Sequence, residues 1–585
     1  MCGIFGYVGK LDKAGEIVLS GLKKLEYRGY DSWGVAVKSE TQNSILVKKK
    51  TGKINHATVE DLPKSTLALG HTRWATHGAV INENAHPHTD CTKRFAIVHN
   101  GIIENYQEIK KNLAQKHHFR SETDTEILLH LIEELAIKLP GSEAVRKAFT
   151  RARGLNAIVV LDALENKIYT AKTGSPIVLT VKGQNSYLAS DSASLLAFSN
   201  ELLFLNDGEM AILSSGKITL QNIADGKTLL PHFQKVDWKF EESEMGKYPH
   251  FMIKEIEEQP KILLNISANL AESAEKIAAF IKNKNVYFSG CGTAYFAALA
   301  GSYYLMSLAK KRSLAVYANE PILVKNLTDD DVLLALSQSG ETIDLIETVK
   351  MVQAEGAKVV GVVNVLGSTL FRMANEKVLL GAGPEICVLA TKSFTAKLGF
   401  LTLLSYALSG NLKVGQRLLA QAAEALDTIF SQKQKIKALA KKLVKKQHIF
   451  VIGRGLSYPM ALESALKIKE VTYLHAEGFA AGELKHGVIA LIEKGTPCVV
   501  LALNDENYES TIASAMELKA RGGYIVGISP KNNEIFDDYL PTSDVGVATN
   551  ILQIAWAQLL SYYMALELKL DPDKPRNLAK SVTVK

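Results

Sequence analysis

The sequence predicts an α+β layered domain (α/β/β/α) followed by two α/β parallel-sheet, nucleotide-fold-like domains built alike, and three observations carry that prediction. Over about the first 215 residues, short alternating or apolar runs follow one another, the pattern of antiparallel strands with one buried face. After that stretch the period changes, and helical segments alternate with apolar strands, as in a parallel sheet covered on both faces. The second pattern then recurs. HIFVIGRGLSYPMALESALKIKE at 448–470 echoes NKNVYFSGCGTAYFAALAGSYYL at 283–305, and PCVVLALNDENYES at 497–510 echoes DVLLALSQSGETID at 331–344. Both offsets are roughly 160 residues, the mark of a duplicated unit.

In chain order, GIFGYVG, SWGVAV, SILVKK, LALGHTRW, RFAIVHNG, NAIVVLD, KIYTAK, PIVLT, YLASD and AILSSG read as strands, relieved by helices at 14–25 and 124–138. The first domain is set at 2–218. Residues 219–258 mix charges and aromatics before Pro260 and read as a linker with some helix, whose Phe251, Met252, Ile253 and Ile256 form an apolar stripe. The repeated domains are set at 259–415 and 416–575, with strands at NVYFSG, VLLALS, KVVGVVNV and EKVLLG in the first copy, and a tail at 576–585.

A chain of 585 residues with 47% apolar and 22% charged side chains is too long for one core. Its net charge of +7, from 68 basic and 61 acidic residues, is small and dispersed. The basic stretches Lys48 to Lys50 and Lys441 to Lys446 lack interleaved aromatics and read as solvated faces, so no nucleic-acid partner is expected. Five cysteines without a CxxC pair fit a reducing compartment. No signal peptide or membrane-length apolar run is present, so the expectation is a cytoplasmic protein with no membrane partner.

Cys2 stands one residue from the start. Removal of the initiator methionine would leave it a thiol and a free α-amine, whose reference pKa near 8 suits a general base beside a thiol of about 8.5. A lone cysteine near a first strand is more often a small buried residue, but its surroundings point elsewhere. GHTRWATHG at 70–78 gathers Thr72, Arg73, Thr76 and two histidines, donors suited to an α-carboxylate, with Arg73 its bidentate partner. HNG at 99–101 follows a strand and offers N–H groups to a developing oxyanion. SETDTE at 121–126 opens a helix where Asp124 can meet an ammonium as well as compensate the helix dipole.

In the second half, LSQSGET at 336–342 sets Ser337, Gln338, Ser339 and Thr342 around Gly340 just after a strand, a phosphate cradle of hydroxyl and backbone donors at a helix start. CGT at 291–293 occupies the matching turn of the preceding strand and brings Thr293 to the pocket. Glu463, Lys467 and Glu470 recur at i, i+4 and i+7 on one helix face, either a surface ladder or a coupled acid–base set, and nearby His486 favours the second.

MCGIFG, LEYRGYDSWG, GHTRWATHG, HNG and SETDTE together resemble the class II glutamine amidotransferases with an N-terminal nucleophile, and the whole chain resembles the isomerizing glutamine:fructose-6-phosphate aminotransferase family, whose second half holds two sugar-isomerase (SIS) domains. The resemblance implies that Cys2 is nucleophile and base, that Asn100 and Gly101 form the oxyanion hole, and that Arg73, Thr76, His77 and Asp124 hold L-glutamine under a loop carrying Trp74. It implies that His486 opens the ring of a hexose 6-phosphate, Glu470 moves the proton between C1 and C2, Lys467 assists imine formation and proton removal, and Glu463 supports them. Lys580 would contact the open sugar at C2 or form its Schiff base. His475 would be lent across a homodimer, and Val388 would line the sugar-phosphate site. No metal or other cofactor is implied, and the sequence shows no clustered ligand pattern.

Five positions depart from the family pattern. Trp33 replaces alanine in LEYRGYDSWG, a change expected to be absorbed by packing. Ala294 follows CGT where serine is usual, and Cys387, Leu389 and Ala390 alter the EICVLATKSFT loop. The lost hydroxyls leave a modified hexose phosphate open as acceptor, and a non-catalytic sugar-phosphate sensor is the remaining rival.

Overall fold

Alternation of buried and exposed faces in the first half resolves into two stacked sheets whose strand pairings are antiparallel. The computed structural model describes residues 2–42, 44–75, 77–236 and 244–582. It divides into two units, Met1–Glu244 with Ala579–Lys585, and Met245–Leu578.

In the first unit an eight-stranded sheet has Gly3–Val8 at its centre, between Asn185–Ala189 and Leu67–Arg73. A seven-stranded sheet is centred on Lys167–Lys172 and Ala157–Asp162, with Phe95–Asn100 beside the latter. The core between the sheets takes alternate residues of each strand: Ile4 and Val8, Leu67 and Leu69, Ala96 and Val98, Ala157 and Val159. The intervening Phe95, Ile97, Ile158 and Val160 face outward and pack under the helices Asp124–Leu135 and Gly141–Phe149. Helix Ala14–Lys24 covers the other sheet so closely that a Cβ on Gly21 would stand 2.3 Å from the Phe5 ring. The layered α/β/β/α prediction therefore holds. Helix 124–138 ends three residues early, at Leu135.

Residues 219–222, read from the sequence as the start of the linker, belong to the strand Lys217–Asn222 of the seven-stranded sheet. At the other end of that segment the helix Phe251–Glu257 lays Met252, Ile253 and Ile256 into the core of the second unit. The Asp573 carboxylate accepts from the N–H groups of Phe251 at 2.8 Å and Met252 at 2.7 Å, satisfying two of the donors that a helix start leaves open.

The second unit holds two five-stranded sheets in which every pairing is parallel. One runs Ser313–Tyr317, Asn285–Gly290, Asp331–Ser337, Lys358–Val363, Glu376–Leu379; the other runs His475–Ala480, His448–Gly453, Pro497–Leu501, Tyr524–Ser529, Asp538–Pro541. Both follow the order 2-1-3-4-5, so the internal repeat is a repeat of topology. Strand order reverses between the first and third strands, and ligands of such sheets bind at that crevice, beyond the carboxyl ends. In the first copy those ends carry the CGT and SQSGET turns. Helix Thr549–Glu567, almost wholly buried, lies in the core cluster that joins residues of both sheets. Among the described residues no helix is long and apolar enough to cross a membrane.

Candidate active sites

Strand parity assembles the first site. Cys2 continues the inward series of Ile4 and Val8, and because Gly3 pairs with Thr72, Cys2 falls opposite Arg73. His71 and Arg73 continue the inward series of Leu67 and Leu69, and Asn100 that of Ala96 and Val98. One edge of the space between the sheets thus collects Cys2, His71, Arg73 and Asn100.

Hydrogen bonds lock the group. The Trp74 N–H donates to the Cys2 sulfur at 3.2 Å, and the thiol faces the Trp74 carbonyl at 3.5 Å. Asn100 donates from Nδ2 to the Cys2 carbonyl at 3.1 Å while its Oδ1 meets His71 Nε2 at 3.1 Å. Burial lowers the His71 pKa to about 3, so the ring is neutral and Nε2 donates, which fixes the Asn100 amide. Gly101 has φ +140°, and a Cβ there would stand 2.5 Å from the Leu155 carbonyl oxygen, which is why the HNG turn ends in glycine.

Arg73 is engaged within its own loop. Its guanidinium donates to the carbonyls of His77 and, at 3.4 Å, Ala79, so it draws in its own loop, and an incoming carboxylate would have to exchange for those contacts. Burial lowers its pKa, opposed by Cys2, Asp31 and Asp124. Asp124 is buried; its Oδ2 accepts from Ile103 N at 2.6 Å, and among the described residues Oδ1 has only the Thr125 hydroxyl at 3.5 Å, which leaves an oxygen for an ammonium. His77 packs edge-on to Tyr106 with ring centroids 5.0 Å apart, and Trp74 does the same with Tyr30 at 5.5 Å. Thr76 lies outside the described residues. Asp31, which the sequence reading passed over, accepts from Ala75 N at 2.9 Å and holds the loop's other end. Trp33 is buried on the strand opposite Thr72, so packing absorbs the substitution.

The second site forms where the two parallel-sheet domains meet within the second unit. Helix Tyr458–Thr472 carries Glu463, Lys467 and Glu470, and the helix face is buried, not a surface ladder. Lys467 Nζ lies 3.3 Å from Glu463 Oε1, 2.6 Å from Glu470 Oε2, 3.0 Å from Thr293 Oγ1 and 3.4 Å from the Ala390 carbonyl. Thr293, at the start of helix Thr293–Ala309, also donates to Glu463 at 3.1 Å. Glu463 and Lys467 are fully buried, whereas Glu470 is 20% exposed. Burial works against the Lys467 charge, but the two carboxylates outweigh it and raise its pKa. Burial pushes Glu463 up to about 7. A lysine held this firmly as an ammonium is a poor imine-forming amine, and it suits charge stabilisation beside Glu470.

In the SQSGET turn the Ser337 hydroxyl accepts from Gly340 N at 2.9 Å and lies 3.3 Å from the Thr342 hydroxyl. Ser337 is buried and shapes the turn, whereas Gln338, Ser339 and Thr342 are partly exposed around it. Gly340 has φ +67°, and a Cβ would meet Ser368 Oγ at 2.1 Å. Gly340→Ala is therefore expected to raise the KM for the phosphorylated substrate by about tenfold or more, the effect of 1–3 kcal/mol of strain, with glutamine hydrolysis unchanged; steady-state kinetics with each substrate checks this.

Val388 is buried, with its N–H on the Asp573 carbonyl at 3.1 Å. His475 is exposed on an edge strand, its Nδ1 3.2 Å from His448 Nδ1, and His486 is exposed at the end of the turn Ala481–His486. Among the described residues no hydrogen bond or ion pair joins either histidine to the Lys467 set. Lys580 belongs to the tail grouped with the first unit. The Ala390 contact runs through its carbonyl and does not depend on its side chain, whereas Cys387 is buried with its thiol on the Pro572 carbonyl.

These geometries define a class: a class II glutamine amidotransferase domain followed by two SIS domains. The glutamine amidotransferase domain family matches residues 71–197, and the SIS domain family matches 279–407 and 442–568. Over its full length the chain is 41% identical to the glutamine–fructose-6-phosphate aminotransferase (isomerizing) of Pyrococcus horikoshii and 39% identical to that of Aquifex aeolicus, with the whole of each relative covered. The C-terminal domain of glucosamine-fructose-6-phosphate aminotransferase from Francisella tularensis is similar in structure, with TM-score 0.51 and 30% identity over 57% of this chain and 99% of that one. The chain belongs to the isomerizing glutamine–fructose-6-phosphate aminotransferase family.

Proposed function

We propose that the chain converts D-fructose 6-phosphate and L-glutamine to D-glucosamine 6-phosphate and L-glutamate, the entry step of amino-sugar biosynthesis, and that ammonia passes internally from one site to the other. The observation that carries this is the pairing, in one chain, of a cysteine-led edge built for amide hydrolysis with a buried Glu–Lys–Glu set beside the CGT turn. Attack of the Cys2 thiolate on the glutamine amide yields a γ-glutamyl thioester and ammonia, and water then releases glutamate. In the second unit the C2 carbonyl of an open ketose phosphate takes ammonia and loses water to give an imine, and a base that carries a proton from C1 to C2 completes the change to an aldose amine.

Residue roles rest on geometry and family resemblance together. Asn100 and Gly101 serve the oxyanion; Arg73, Trp74, Thr76, His77 and Asp124 hold glutamine. Thr293, Gln338, Ser339 and Thr342 take the phosphate on the Ser337 turn, with Val388 lining the site. Glu470, the exposed end of the set, shuttles the proton. His486 opens the ring, Lys580 engages C2, and His475 completes the site of a second copy in a homodimer. A cytoplasmic location and a division into an amidotransferase part, a short connection and two SIS parts belong to the same reading, and the matched intervals fall inside the three main parts.

The test is mass-resolved product analysis with amide-labelled glutamine and fructose 6-phosphate. Labelled glucosamine 6-phosphate is expected. Glutamate release without that product would remove fructose 6-phosphate as acceptor while leaving Cys2 as nucleophile.

A further inference from the structure

Away from both sites, the first unit draws together four side chains that the sequence scatters and that neither half-reaction uses. We propose that Cys91, His117, His130 and Glu133 form a tetrahedral Zn²⁺ site. This corrects the sequence reading, which found no clustered ligand pattern, because only the fold brings these residues within reach. Cys91 follows the short strand His88–Thr89, His117 lies in the loop before helix Asp124–Leu135, and His130 and Glu133 sit one turn apart on that helix.

One ligand atom from each residue lies within 4.8 Å of all the others. The Cys91 sulfur is 3.8 Å from His117 Nδ1 and 3.9 Å from His130 Nδ1. Glu133 Oε2 is 3.1 Å from His117 Nδ1 and 2.8 Å from His130 Nδ1. Metal bonds of about 2.0–2.3 Å in a zinc tetrahedron require edges of roughly 3.3–3.6 Å, and these four separations, from 2.8 to 3.9 Å, lie within about half an ångström of that range. The donor set is specific: thiolate and imidazole select zinc over magnesium or calcium, and a thiolate with a carboxylate neutralises the ion's charge.

The surroundings are built for the same task. Ligating histidines hold their other ring nitrogen against a carboxylate, which fixes the ring. His117 Nε2 meets Glu134 Oε1 at 3.0 Å, and His130 Nε2 faces Glu126 Oε1 at 3.9 Å. His130 is fully buried, and among the described residues its Nε2 has no hydrogen-bond partner, so Glu126 faces that nitrogen at ion-pair and not hydrogen-bond distance. The Phe119 ring packs against both imidazoles, with centroids 6.5 and 4.9 Å away. The Asp90 carboxylate fixes the Cys91 turn by accepting from Phe95 N at 2.7 Å and Thr92 N at 3.2 Å. A closed set of four protein ligands marks a structural site. It would pin the loop before helix Asp124–Leu135 to the helix that begins with Asp124, and so steady the glutamine edge.

Chelator-treated full-length protein titrated with Co²⁺ alone is expected to bind one equivalent, with the strong visible absorption of tetrahedral Co²⁺ and a thiolate-to-metal charge-transfer band. Zn²⁺ alone should displace it and raise Tm. Cys91→Ser should lose the charge-transfer band, Cys498→Ser should keep it, and Glu134→Gln, which leaves all four ligands, should weaken Zn²⁺ binding by about 10–100-fold. No band in the unaltered protein overturns the site, and so does a band that survives Cys91→Ser. If Cys91→Ser fails to fold, unchanged Zn²⁺ affinity in Glu134→Gln overturns it. These readouts are independent of fructose 6-phosphate amination, so the site can fail while the proposed function stands, and the reverse.

Discussion

Cys2→Ala is expected to lower glutamine-dependent amination by on the order of 10³-fold or more, while ammonium salts continue to support amination of fructose 6-phosphate. The scale is that of removing the nucleophile from a covalent mechanism. Selectivity is what the test reads, because the nucleophile lies in one unit and the Glu463–Lys467–Glu470 set in the other. Alanine also preserves the backbone contacts around the position: Asn100 and Arg28 donate to the Cys2 carbonyl at 3.1 and 3.3 Å, and neither bond involves the sulfur. Parallel assays of glutamate release, ammonia-dependent product and thermal unfolding separate the outcomes. Undiminished glutamate release would remove Cys2 as nucleophile.

Why this site was readable in the sequence and others were not follows from the range of the forces that build them. Cys2, Arg73 and Asn100 sit at the ends of strands with strict period-2 alternation, and alternation alone assigns them to the inner face once Ile4, Leu69 and Val98 are recognised as core. The parallel sheets were equally plain where strands are buried on both faces, as in Asp331–Ser337. The edge strand Ser313–Tyr317 was missed because its apolar run, Leu314 to Tyr317, is only four residues long and a single one of them, Val316, is buried. Burial of the Glu463–Lys467–Glu470 face could not be decided from spacing, since a surface ladder has the same i, i+4, i+7 pattern. It is decided by Thr293 and the Ala390 carbonyl, which arrive from the other domain. The Cys91–His117–His130–Glu133 cluster is the extreme case: its spacing carries no signal, and packing of a helix on a sheet creates it.

That buried set supplies the second large effect. Lys467→Met would leave Glu463 without its cation, and breaking a buried pair in this way costs about 3–5 kcal/mol. Amination should be lost with either glutamine or ammonium as nitrogen source, while the sugar-free glutaminase activity of the first unit persists. Glu463→Gln is the gentler probe, keeping a side chain that can still bond Thr293 and Lys467 while removing the titration. Its sign can be worked out. The folded pKa of Glu463, about 7, lies above its ordinary value of 4.5, so the folded state binds the proton more tightly than the unfolded chain. The resulting stabilisation is fully present below pH 4.5 and is lost as pH rises through about 7. Lys467, whose pKa is also raised, contributes stability that is present below its ordinary 10.5 and lost only above that, outside this window. Subtracting the Tm–pH curve of Glu463→Gln from that of the unaltered protein should therefore leave a difference that declines between pH 4.5 and 7 and is flat above. Curves that run parallel across that window would show Glu463 ionised throughout, and would remove it from the acid–base chemistry of the sugar site.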